Sequence, residues 1–266
     1  IFDSVPQATR EVSKQWYEGA NKIVQRMADR HGISLAQASA VTANLSPQKD
    51  WYQNASLAER VIDIYHQNMN DPFDQAMKEK AEQIYFHKGV NAKTKIENRE
   101  KLDIIKEKSL SDLIREDATS NILGMWIRTY DQTYNAPSYR IVSPDGKLLD
   151  YAVNANGKTR SKVAWGSLSE IGKAVTALIN GDMDTLSLSL GDKNKVRNFY
   201  NNIFDPASDL GFVTIDTHAV AAGLIRPLGG NSPEVAANFG SGASNSTVTG
   251  HRGTYSLYEE AYRRAA

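Results

Sequence analysis

The sequence predicts a mainly α protein with one β-hairpin inserted at about residues 134–165. Two observations carry this reading. Apolar residues recur at three- and four-residue steps through most of the chain, the period of helices that bury one face. That period breaks between Tyr130 and Val163, where short strand-like runs flank two strong turn sequences, Ser143-Pro144-Asp145-Gly146 and Asn154-Ala155-Asn156-Gly157.

The elements follow in order. Trp16, Ala20, Ile23, Val24 and Met27 define a helical face, and Gly32 after His31 marks its C-terminal stop. Ser34 is placed to cap a second helix through Leu35, Ala38, Val41 and Leu45. Ser46-Pro47 breaks it, because proline disfavours α geometry in the residue before it. A new helix starts near Trp51 and runs through Leu57, Val61, Ile62 and Tyr65, followed by a turn at Asn68–Pro72 and helix to about Tyr85. Residues 88–108 mix lysines with Glu97, Glu100, Asp103 and Glu107, the pattern of a solvated helix with i,i+4 ion pairs. Helical spacing resumes over 109–128. Tyr139–Val142 and Leu148–Val153 are expected to form the hairpin strands. Helix returns from Ser169, and Asn180-Gly181-Asp182 ends it. Residues 229–253, rich in Gly, Ser and Asn, read as loop, and Tyr255–Ala266 as a final helix.

A chain of 266 residues buries a substantial core without staples, and its 41% apolar and 23% charged residues are ordinary globular usage. Lys+Arg 31 against Asp+Glu 31 excludes a polycation but leaves room for a local basic groove. Cys 0 removes disulfides, thiolate nucleophiles and cysteine metal sites. No run of about 18 apolar residues occurs, so no membrane partner is expected. Ile1-Phe2-Asp3-Ser4 carries no leader pattern, and the expected location is the cytoplasm. Five scattered histidines show no ligand spacing, so no metal or other cofactor is expected.

Three constellations can carry chemistry. In Asn44-Leu45-Ser46-Pro47-Gln48-Lys49-Asp50-Trp51, with Asn54 one turn on, Gln48, Asp50, Trp51 and Asn54 are expected to project together from a helix start. The competing reading makes Asp50 a cap and Trp51 core. In Leu190-Gly191-Asp192-Lys193-Asn194-Lys195-Val196-Arg197, a glycine turn opens a helix whose first turn carries three cations, an arrangement suited to DNA phosphates. In Val213-Thr214-Ile215-Asp216-Thr217-His218-Ala219, an apolar approach ends in a carboxylate and an imidazole at the mouth of an alanine-rich helix. Asp216 there suits catalysis, or caps the helix. Gly240-Ser241-Gly242 lacks the lysine and helix of a phosphate loop, and no Gly-x-Ser-x-Gly elbow supports a serine triad.

In order, the three constellations resemble the helix-hairpin-helix DNA glycosylase superfamily. Ser46-Pro47-Gln48 is similar to its DNA-entering element, Gly191–Lys195 to its backbone-gripping hairpin, and Ile215-Asp216-Thr217-His218 to its catalytic aspartate segment. The family's Leu-Pro-Gly-Val-Gly reads Leu190-Gly191-Asp192-Lys193-Asn194 here. Ser-Pro-Gln with Trp51 and Asn54, combined with Gly-x-Lys…Phe-Tyr-x-Asn-Ile and Ile-Asp-Thr-His-Ala, is closer to a divergent phage branch. That branch comprises α-glutamyl/putrescinyl-thymine pyrophosphorylase and amino-acid:DNA transferase-like proteins. The resemblance covers mainly residues 35–65 and 185–225 and leaves the 134–165 insertion without a counterpart.

The resemblance implies a single two-lobed, glycosylase-like monomer over residues 1–266, located in a bacterial host if the chain is viral. It implies an enzyme that flips a hypermodified thymine-type base out of double-stranded DNA. By the same resemblance Asp216 would be the catalytic carboxylate, with Lys195 (or Lys193) the family lysine. Gln48, Asp50, Trp51, Asn54 and His218 would line the base pocket, and Lys193 and Arg197 would hold the backbone. The favoured chemistry is transfer of an amino acid or amine co-substrate to the base. The alternatives are glycosylase excision of a modified base and DNA binding without catalysis.

Overall fold

The computed structural model describes residues 4–239, 250 and 252–265. The chain divides into two compact units, residues 1–189 and 190–266. The Gly240-Ser241-Gly242 stretch lies outside the described residues.

The first unit opens with α1 (Gln7–Lys14), α2 (Trp16–His31), α3 (Leu35–Asn44) and α4 (Trp51–Asn68). Gly32 ends α2 in the left-handed conformation at φ 66°, which glycine adopts without a Cβ penalty. Ser34 and Gln37 form a reciprocal capping box that starts α3. Next come α5 (Gln75–Tyr85), α6 (Ala92–Ile105), α7 (Leu110–Arg115) and α8 (Ser120–Tyr134). The solvated α6 forms as expected, but its charges pair differently. Arg99 reaches Glu82 on α5, and Lys106 pairs with Asp103 three residues back.

The hairpin is β1 (Arg140–Val142) and β2 (Leu148–Tyr151), antiparallel, with Arg140 opposite Tyr151. Isolated bridges join Val153 to Arg160 and Ser138 to Lys162, so residues 160–162 run as a third, strand-like edge. α9 (Leu168–Ile179) starts at a capping box of Ser167 and Glu170. It lies tightly on α8 because a Cβ at Gly124 would fall 2.0 Å from the Leu168 carbonyl oxygen, and one at Gly172 1.8 Å from that of Ser120. Trp126, Leu57, Ile62, Ile127 and Ile171 fill the core among α4, α8 and α9.

α10 (Met183–Leu190) is a helix where the sequence predicts only a terminator. Asp182 belongs to this next element. It accepts from the backbone N–H groups of Asp184 and Thr185 and so opens α10.

The second unit holds α11 (Asn194–Phe204), α12 (Thr217–Leu224), α13 (Pro233–Asn238) and α14 (Tyr255–Ala265). Its core is Ile215, Val220, Val235, Tyr255 and Tyr258. α13 corrects the expectation of uninterrupted loop after Gly229. Pro233 at the first helical turn is preset for helix, Val235 is buried, and buried Glu234 pairs with Arg226 at 3.1 Å. Among the described residues no helix is long and apolar enough to cross a membrane.

Candidate functional site

In the first unit, the candidate residues gather at the break between α3 and α4. Pro47 has no N–H, so α3 cannot close its last turn in the usual way. Leu45 N–H donates to Val41 O, and Ser46 N–H donates to Ala43 O, which leaves the Thr42 carbonyl over. Asn54, one turn into α4, supplies the missing donor: its Nδ2 reaches Thr42 O at 2.8 Å. Asn54 is only 2% exposed, so it does not project with its neighbours as the spacing predicts. The polar group at that position joins two helices.

The other three residues surround the helix start. Asp50 is the N-cap of α4, accepting from Gln53 N–H at 2.9 Å and from Gln53 Nε2 at 2.7 Å. Trp51 is half-buried, its ring 5.2 Å from that of Trp16. Thus the capping and packing roles weighed from the sequence are both present. Gln48 is different. It is exposed and has φ 58°, a left-handed backbone that costs a non-glycine residue about 1–2 kcal/mol. The chain therefore holds a long amide side chain at the tip of the break, where glycine would relieve the strain.

The hairpin insertion packs on this same helix start. Gln53 Oε1 accepts from Ala164 N–H at 2.9 Å. Burial raises the pKa of the Tyr139 hydroxyl, the nearby Asp50 carboxylate adds to the rise, and Ser161 opposes it. At the base of the insertion, Arg60 pairs with buried Asp131 at 2.7 Å and donates to Ala136 O and Ser138 O. Trp165 Nε1 completes the clamp on Asp131 at 3.0 Å.

Beside the insertion, α2 and α4 form a cleft of about 590 Å³, lined among others by Arg26, Arg30, His31, Tyr52, Asp63 and Tyr151. His31 Nε2 and Asp63 Oδ1 lie 2.7 Å apart, and the His31 ring stacks on that of His66 at 5.2 Å. Burial depresses the His66 pKa, the neighbouring His31 depresses it further, and Asp63 opposes the shift. Sequence reasoning misses this group because His31 is far from α4 in the chain. The i,i+3 spacing of Asp63 and His66 is the available signal. No metal-holding group of three or more His, Cys, Asp or Glu exists among the described residues.

The second unit holds the other two constellations, linked through later residues of α11. Lys193 is the N-cap of α11, without a side-chain cap bond, and Lys195 follows in the first turn. Lys193 is exposed and Lys195 half-buried. Arg197 turns back on the loop, its Nε donating to Gly191 O at 2.5 Å, and Gly191 takes φ 63°. The same helix fixes the approach to Asp216. Asn202 Nδ2 donates to Thr214 Oγ1 at 3.0 Å, and Asn198 Nδ2 to the Tyr255 hydroxyl at 3.2 Å. That hydroxyl in turn accepts from Ile215 N–H at 2.9 Å and donates to Val213 O at 3.0 Å. Sequence reasoning gives no role to Asn198, Asn202 or Tyr255, whose polar groups meet only in three dimensions.

Asp216 is the N-cap of α12, with Oδ1 accepting from Ala219 N–H at 2.8 Å. It is half-buried, and its Oδ2 meets no protein donor among the described residues. Burial raises the Tyr262 pKa, with Asp216 adding to the rise, and its hydroxyl donates to Ala219 O at 2.8 Å. His218, two residues further on, is exposed. A carboxylate with one oxygen fixed and the other open can take a proton or face a developing positive charge.

Residues 1–112 match a family of unknown function, DUF7178. The match spans the α3–α4 break and ends before the insertion and Asp216. No curated protein and no solved structure matches the chain.

Proposed function

We propose that the chain is a DNA base-modifying enzyme acting on a flipped, hypermodified thymine-type base, and that it transfers an amino acid or amine to that base. The observation that carries the reading is Asp216, a half-buried carboxylate at a helix mouth with one oxygen held by Ala219 N–H and the other open. In the transfer, the amine nitrogen attacks the 5-methylene carbon of the base. A C–N bond forms, the bond to the leaving group breaks with its electron pair, and Asp216 accepts the amine proton. Lys193 and Lys195 support the same reading. Both stand at the start of α11, where the positive end of the helix dipole and the first backbone N–H groups favour an anion such as a phosphate.

Gln48, exposed at the tip of the break, enters the duplex in place of the flipped nucleotide. Asp50 and Trp51 hold the helix start that carries it, and His218, exposed two residues after Asp216, is the imidazole available to the base. Arg197 shapes the Gly191 turn that presents the phosphate site. Asn54 supports the break from behind.

Nucleoside mass spectrometry of natural and hypermodified duplex DNA, incubated with the protein and candidate amines, tests this. A new thymidine adduct is the expected result. Release of a free base would replace transfer by glycosylase chemistry at the same carboxylate. Unchanged DNA with retained binding would leave a DNA-binding protein without catalysis.

A further inference from the structure

The insertion has two turns with opposite fates. Ser143–Gly146 is packed against α2, where a Cβ on Gly19 would fall 1.9 Å from Pro144 O, and Arg26 donates to Gly146 O. Its charges are settled locally: Lys147 and the Ser143 hydroxyl hold the Asp145 carboxyl down to about 2. The Asn154–Gly157 turn stands in solvent, with nothing within 4 Å of a Cβ at Gly157. Behind it, Lys158 follows in the bend and Arg160 and Lys162 alternate along the strand-like edge, all three exposed. Residues two apart on an extended strand share a face and repeat about every 6.6 Å.

Register gathers further groups on that face. Arg140 stands opposite Tyr151, and both Arg140 and Arg160 lie over the Tyr151 ring, at 5.0 and 3.9 Å from its centroid. Asp150, next to Tyr151, points to the other face by the same alternation. Among the described residues no carboxylate forms an ion pair with Arg140, Lys158, Arg160 or Lys162, although most other arginines on the helices of this unit are paired. A chain of zero formal charge thus carries a face with four uncompensated cations.

We propose that this face grips the phosphate backbone of duplex DNA, with Lys158, Arg160 and Lys162 meeting phosphates along one strand. The inference rests on the DNA reading above. It gives the insertion a task there, because the module is fixed through Gln53 and Ala164 to the helix start that follows Gln48. The Arg60–Asp131–Trp165 clamp holds its base, so the cations are presented without ordering a free loop on binding. Both arginines are engaged on the Tyr151 ring, and a cluster of cations without a paired carboxylate favours contact with the phosphate backbone.

The test is fluorescence anisotropy of the full chain on a labelled duplex between 50 and 200 mM salt. Two variants are compared with wild type: Lys158→Ala/Lys162→Ala, which leaves the Arg160–Tyr151 stack intact, and the triple variant that adds Arg160→Ala. Removing one cation from its phosphate should flatten the log–log salt slope by about 0.9, so roughly 2 for the double variant and 3 for the triple. Binding should weaken equally on unrelated sequences. Wild-type binding with an unchanged slope in both variants would overturn the grip and leave the DNA reading standing. Absence of any wild-type binding would overturn both.

Discussion

Asn54→Ala separates the structural from the catalytic meaning of the α3–α4 break. The substitution removes the 2.8 Å bond from Nδ2 to Thr42 O inside a site where Asn54 is 2% exposed. Thr42 O then has no donor, because the backbone N–H groups that follow are committed to Val41 O and Ala43 O. Leaving a buried carbonyl unsatisfied costs about 1–3 kcal/mol. For a unit of this size that is a fall in Tm of roughly 2–12 °C, at about 2–4 °C per kcal/mol. Asn54→Asp keeps the shape but turns the donor into an acceptor, and should lose at least as much. Thermal and urea unfolding followed by far-UV circular dichroism read the effect, with m unchanged. An Asn54→Ala protein that melts with the wild type yet loses turnover would refute the capping role and return Asn54 to the base pocket.

Gln48→Gly should keep or raise Tm, because about 1–2 kcal/mol of relieved left-handed strain outweighs about 0.4–1 kcal/mol of added unfolded-chain entropy, while turnover on duplex DNA collapses. Wild-type turnover in that variant would remove Gln48 from the mechanism. Gly172→Ala should destabilise by about 1–3 kcal/mol, since its Cβ would press on the Ser120 carbonyl and separate α8 from α9; urea unfolding checks it. Stability should also fall on the acid side. His66 has a pKa below its unfolded value, chiefly from burial, so the folded state binds its proton less readily. Its contribution is complete above about pH 6.5 and lost as pH falls through the depressed pKa. His66→Phe, which keeps a ring against His31, should flatten that limb of a Tm-against-pH curve, and an unaltered limb would exclude His66 as its source.

The helices with local signals were legible in the sequence. Gly32 ending α2, Ser34 capping α3 and Pro47 dividing α3 from α4 are read directly from residues whose backbone preferences are strong. The hairpin was legible from its turn sequences, and the structure places its strands within a few residues of the expected bounds. Short helices were hidden. α13 sits among glycine, serine and asparagine, and α10 begins at an Asp182 that reads equally well as a stop. At the site, residue type offered Asp50 and Asp216 as helix caps beside their functional readings, but not which side chains turn inward. Asn54 and Gln48 are both polar amides a few residues apart, and only the packing of α3 on α4 decides that one is buried and the other exposed. The links that hold Asp216 in place, through Asn198, Asn202 and Tyr255, join segments dozens of residues apart and leave no periodic trace.

Chemistry by Asp216 on a base in DNA is the centre of this account. Its most direct test is the nucleoside mass spectrum of hypermodified duplex DNA after incubation with amine and either wild type or Asp216→Asn. Asparagine preserves a side-chain oxygen for the Ala219 N–H, so the cap and the fold should survive, with Tm and DNA affinity near wild type. The modified thymidine formed by the wild type should then be missing with Asp216→Asn. Equal product from both proteins would contradict the assignment.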